Sequence, residues 1–87
     1  MTQETDLKKL IKDYLDIKGF FHWYNLQGLG AYKGAPDMFA IRNGQVFALE
    51  IKKKEGVLSK FQEKFKENYE GKGGTYVVVR GLEDLPF

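Results

Sequence analysis

The sequence contains no cysteine and a single histidine among its 87 residues. Without thiols there can be no disulfide and no thiolate zinc site, which fits a reducing compartment. Long apolar runs are also missing. A stretch such as Tyr76-Val77-Val78-Val79 is far short of the roughly 20 residues that span a bilayer. The opening Met1-Thr2-Gln3-Glu4-Thr5-Asp6 is polar and acidic, unlike a signal peptide. A soluble, cytoplasmic protein with no membrane role is therefore expected, in a bacterial or viral host cell. The glycines at positions 28, 30 and 34 are followed by no Gly-Lys-Ser/Thr and do not have G-x-G-x-x-G spacing. Neither a P-loop nor a dinucleotide fingerprint is present.

A large charge of one sign is lacking too, since the formal net charge is +2. Its distribution is more telling. Residues 1 to 31 hold four lysines against four acids, whereas residues 32 to 66 hold eight basic residues against four acids. The last 21 residues carry two basic residues against four acids. A basic middle can track phosphates, although the same lysines could be the solvated faces of a strand end and a helix.

What the chain does have is the material for one small domain, residues 1–87, with 43% hydrophobic residues and 15% aromatics. So short a chain gains from burying further surface in a dimer. Leu7, Leu10, Ile11, Tyr14 and Leu15 form the stripe of an amphipathic helix over residues 5 to 18, stopped by Gly19. Phe20 to Asn25 reads as a short aromatic strand, and the glycines 28–34 as a loop. Met38–Arg42 and Gln45–Lys52 read as strands joined by Asn43-Gly44, the residue pair that a type I′ hairpin turn requires. Ser59 can cap a second helix with Phe61, Phe65 and Tyr69 on its inner side. Gly71, Gly73 and Gly74 end that helix, and Thr75–Val79 is a buried-type strand before a short tail from Leu82 to Phe87. The predicted fold is α/β, in the order α-β-β-β-α-β, with a four-stranded mixed sheet flanked by helices. A right-handed crossover sets the fourth strand parallel to the third.

The hairpin fixes a geometric expectation. With a two-residue turn, paired positions sum to 87, so Asp37 falls opposite Glu50. Opposed residues have Cβ atoms about 5 Å apart, and like charges there repel. A hard divalent cation held by carboxylate oxygens would account for the pair. Lys52 shares the face of Glu50 by strand alternation, where an ammonium can orient a water or offset phosphate charge. The bare pattern Asp/Glu-x-Lys occurs four times, at Asp6, Asp16, Glu50 and Glu70. Only Glu50-Ile51-Lys52 ends an apolar strand with an aspartate across a hairpin.

Gly34-Ala35-Pro36-Asp37, Glu50-Ile51-Lys52 and Gln62 on the following helix together resemble the virus-type replication-repair nuclease domain (VRR-NUC), a branch of the PD-(D/E)XK superfamily with a restriction-endonuclease-like core. The likeness runs from Glu4 to the last strand. It implies phosphodiester hydrolysis with Mg²⁺ or Mn²⁺, leaving a 5′ phosphate. By that resemblance Asp37, Glu50 and the main-chain carbonyl of Ile51 would hold metal, joined by Glu4 from the first helix. Lys52 would assist the water, and Gln62 would complete the catalytic set. Stand-alone members resemble dimeric resolvases of branched DNA such as four-way junctions or flaps. Fused members sit on larger repair enzymes, and for so small a chain an accessory replication or repair protein that supplies specificity is a further candidate partner.

Each residue also has a plainer role open to it. Pro36-Asp37 is a common turn pair. Glu4 can favour a helix dipole. Ser59-Lys60-Phe61-Gln62 has the form of a capping box. His22 reads as packed or surface-exposed rather than catalytic, and Phe61, Phe65 and Tyr69 as core. Lys33, Lys54 and Lys60 are candidate phosphate contacts or ordinary surface. A non-catalytic nucleic-acid-binding or scaffold module with the same fold is the alternative to an enzyme.

Overall fold

The computed structural model describes residues 3–26 and 28–87, with the side chains of residues 3–5 excluded. The metal-site expectation for Glu4 thus lies outside the described residues. Helix α1 spans Gln3–Ile17 and is followed by strands β1 (Phe21–Tyr24), β2 (Met38–Arg42) and β3 (Gln45–Ile51). Helix α2 (Lys60–Gly71) leads to β4 (Thr75–Val79) and a 3-10 turn at Leu82–Asp84. The strands form one sheet in the order β1-β2-β3-β4. The first two pairings are antiparallel and β3 pairs with β4 in parallel, the mixed sheet that the element order predicts.

Asn43 and Gly44 both take positive φ, 54° and 79°, as a type I′ turn demands. The β2–β3 register follows from that turn: Arg42 faces Gln45, Ala40 faces Phe47 and Met38 faces Leu49. One further step places Asp37 across from Glu50. The sequence-derived register holds.

Alternation divides the sheet into two faces. Met38, Ala40, Phe47, Leu49, Ile51 and Val79 join Ile11 and Leu15 of α1 in the buried core, with Phe20 and Leu85 at its margin. Leu10, at the edge of the α1 stripe, is 53% exposed instead, because the stripe is wider than the surface it meets. The tail is part of this core: Phe87 packs on Phe20 and Phe47 at centroid distances of 4.3 and 5.1 Å. Tyr14 Oη donates to the Phe87 carbonyl. The opposite face carries Phe39, Ala48, Glu50 and Tyr76 and is covered by α2, none of whose residues is fully buried. Phe65 and Tyr69 line that contact, but Phe61 does not join the core: it is 57% exposed, one turn too early to reach the sheet. Among the described residues no helix is long and apolar enough to cross a membrane.

Candidate active site

Asp37 is held at the entry to β2 by its neighbours. Asn25 N–H donates to the Asp37 carbonyl at 2.9 Å, and Asn25 Nδ2 donates to the Pro36 carbonyl at 2.8 Å. The carboxylate itself accepts the Ile51 N–H through Oδ2 at 2.7 Å. Extending the register puts Ile51 opposite proline, and the aspartate side chain takes the main-chain donor there. Asp37 is therefore tied to β3 as well as facing it.

Glu50 is 3% exposed, the sole charged residue among the buried ones described. Its Oε2 lies 3.9 Å from Lys52 Nζ, while Oε1 is buried with no hydrogen-bond partner among the described residues. A second ammonium, Lys8 Nζ, stands 4.0 Å from Asp37 Oδ1. Burial first, then the hydrogen bond and charge of Asp37, push the Glu50 carboxyl up to about 8, against the lowering effect of Lys52 and Lys8. Burial and the neighbouring Asp37 thus favour the protonated form of the Glu50 carboxyl in the protein alone. Behind the two carboxylates, burial foremost and then the charges of Glu50 and Asp37 push the Tyr76 phenol up. Its hydroxyl is also buried and unpartnered among the described residues.

These groups open into a cleft of about 530 Å³ whose lining includes Asp37, Glu50, Ile51, Lys52, Lys33 and Gln62. One wall is fixed by Gly34, at φ +81°, where an added Cβ would lie 2.1 Å from the Phe61 carbonyl oxygen. The loop can meet the start of α2 so closely only because that residue has no side chain. Lys33 is thereby set over the Phe61 ring, its Nζ 5.1 Å from the centroid. On the other wall, the capping box is complete: Ser59 N–H donates to Gln62 Oε1 at 2.8 Å and Gln62 N–H to Ser59 Oγ at 3.2 Å. Gln62 thus serves its helix through Oε1 and borders the cleft as well.

Asp37, Glu50, Ile51, Lys52, Gln62 and Lys33 converge. Lys54 lies in an adjoining cavity of about 270 Å³ with Lys52, Lys53 and Arg80. Lys60 is exposed on the first turn of α2 and is not among the residues lining the cleft. His22 bonds to Asp16 Oδ1 at 2.6 Å, on the surface and away from the carboxylates. Sequence reasoning missed Lys8, Arg80 and Tyr76. Lys8 follows Glu4 by four residues, the spacing of one helix face. Arg80 follows Val79, which pairs in parallel with Ile51, so it comes just after β4 beside Lys52, which comes just after β3.

Two opposed carboxylates, one with a buried oxygen left unpartnered, have the donor chemistry of a hard divalent cation. Among the described residues no third carboxylate, histidine or cysteine joins them. The fit is thus to an ion that keeps water or substrate oxygens in its shell rather than to an all-protein cage.

The α1 layer, the mixed four-stranded sheet and α2 define a small α/β fold with its carboxylates at the hairpin base. A solved structure described as "VRR_NUC domain" shares that fold, with a TM-score of 0.83 over 95% of this chain and 89% of that chain at 22% sequence identity. No family model matches the sequence, and no curated protein does.

Proposed function

We propose that this chain is a divalent-metal-dependent endonuclease acting on branched DNA. The observation that carries the reading is the Asp37–Glu50 pair: two carboxylates forced together at the base of a hairpin, one buried with a free oxygen, with Lys52 alongside. A fold maintained for packing alone gains nothing from that arrangement, because burying an unpaired acid is unfavourable. The fold shared with a VRR_NUC domain supports the same reading.

Asp37, Glu50 and the Ile51 carbonyl would hold Mg²⁺ or Mn²⁺, with Glu4 as a further candidate. The bound ion supplies a Lewis acid for the scissile phosphate. The chain's own groups do the rest. Loss of the Glu50 proton would free its carboxylate to bind beside Asp37. Lys52 is set to orient the attacking water and to offset charge growing on the phosphate. Lys8 balances Asp37 in the absence of substrate. Gln62 retains its Nε2 protons for a water or phosphate oxygen. Lys33, Lys54, Lys53 and Arg80 offer phosphate contacts on both sides of the cleft, with Lys60 further out along α2.

A two-fold homodimer presents two such clefts, as paired cuts across a four-way junction require. The test is incubation of the purified protein with end-labelled four-way junction, 5′-flap, duplex and single-stranded DNA, each with Mg²⁺ and with EDTA. A Lys52→Ala preparation controls for contaminating nuclease. Metal-dependent cleavage lost in that variant, and fastest on branched DNA, is the expected result. Binding without product in either metal would move the assignment to a non-catalytic module. Cleavage of plain duplex as fast as of branched DNA would remove the structural selectivity.

A further inference from the structure

Beside the cleft lies a second cavity, of about 350 Å³, walled by Tyr32, Phe65, Tyr69 and Gly74, with Asn68 and Lys72 at its rim. We propose that it receives an unpaired nucleobase from the strand whose phosphate lies in the cleft, an inference that rests on the DNA nuclease reading and adds where a single-stranded arm is held.

The walls suit a flat ring. Tyr32 meets Phe65 edge-on, with centroids 5.8 Å apart and planes at 76°. Phe65 and Tyr69 lie nearly parallel at 19°. Gly74 lets the Tyr69 ring come close, since a Cβ there would meet its Cε2 at 2.3 Å. Packing alone does not explain Tyr32, which is 68% exposed on a loop while its ring meets Phe65 of α2. Aromatic faces take any base, while the Asn68 amide and the Lys72 ammonium supply a partner for a base edge and a phosphate.

Position argues for the same occupant. Tyr32 precedes Lys33 and Gly34, which line the cleft, and Phe65 and Tyr69 follow Gln62 along α2, so the two cavities share a loop and a helix. The seven residues from Gln62 to Tyr69 rise about 10 Å at 1.5 Å per residue. On the far side, Lys52 is common to the cleft and to the cavity bearing Lys54 and Arg80. The cleft thus sits between a basic cavity and an aromatic one, an arrangement suited to a strand passing from duplex to unpaired DNA.

The test uses the full chain in EDTA, where no cleavage interferes, with an oligo-dT strand carrying one 2-aminopurine and the same label within a blunt duplex. Wild type should quench the fluorophore in the single strand but not in the duplex. Tyr32→Ala should abolish the quenching and weaken single-strand binding by about 5- to 140-fold, the range for loss of one stacked base. Tyr32→Trp should restore both. Equal quenching and affinity in wild type and Tyr32→Ala would overturn the proposal. So would a shift of Tyr32→Ala to a smaller species in sedimentation, which would assign the aromatic walls to a second copy of the chain. A wild type that binds and quenches but cuts nothing would sink the nuclease reading while leaving the base pocket standing.

Discussion

Replacing Glu50 by glutamine keeps the shape of the side chain and removes its ability to ionise, so it isolates the energetic role of the buried carboxylate. In the folded protein burial and Asp37 raise that carboxyl from 4.5 to about 8. Between those values the unfolded chain has released the proton and the folded chain still holds it. Stability must then fall as pH rises, because the native state binds more protons. At 1.36 kcal/mol per unit, the full penalty approaches 5 kcal/mol at pH 8 and above, and it vanishes below pH 4.5. Against a total stability of about 5–15 kcal/mol, that is a large fraction. Glutamine carries no such penalty and can still donate an N–H to Asp37.

The assay is thermal melting in EDTA at a series of pH values from 4.5 to 9. Wild type and Glu50→Gln should melt together at the acid end and separate progressively, with the variant the more stable. For a domain of this size each kcal/mol shifts Tm by about 4–8 °C, so even half of the penalty gives a gap near 10 °C. Mg²⁺ should narrow the gap by stabilising the wild type alone, by about 2.7 kcal/mol at a hundredfold excess over Kd. Melting curves that stay a constant distance apart across the whole range would refute the reasoning. The Glu50 carboxyl would then be hydrated and unshifted, and its buried oxygen would not be waiting for a cation.

Asp37 separates into two functions. Asp37→Asn keeps an oxygen for the Ile51 N–H and removes repulsion, so its metal-free Tm should match or exceed wild type while cleavage disappears; Asp37→Ala strands that N–H and should lower stability by about 1–3 kcal/mol. Gln62→Glu retains the acceptor for Ser59 N–H but loses Nε2, so Tm should hold while turnover falls. Ser59→Ala should do the reverse, costing about 1 kcal/mol by denaturant titration with turnover preserved. Gly34→Ala forces a β-carbon against the Phe61 carbonyl at an unfavourable positive φ, and should lower Tm by more than about 4 °C and raise KM by displacing Lys33.

The hairpin was legible because its geometry is local. Asn43-Gly44 sets the turn, the turn sets the register, and the register brings Asp37 to Glu50 with no knowledge of the rest of the fold. The same holds for the capping box at Ser59 and Gln62, whose two partners are three residues apart. What the sequence concealed depends on side chains meeting across elements. Lys8 reaches Asp37 from α1, Phe87 closes the core from the tail, and Phe61 stays exposed at the start of α2 with the Lys33 ammonium over its ring. Gly34 looked like one of several loop glycines, yet a contact with the backbone of α2, 27 residues on, makes it hard to replace. The burial of Glu50 was hidden for a related reason. Strand alternation shows which face a residue shares, but α2 and Tyr76 decide whether that face is wet. This distinction gives the carboxylate pair its chemical meaning: two acids facing each other in water would be a minor electrostatic fault, while under a helix burial raises the Glu50 carboxyl to about 8, and on the proposed function a cation would take the place of its proton.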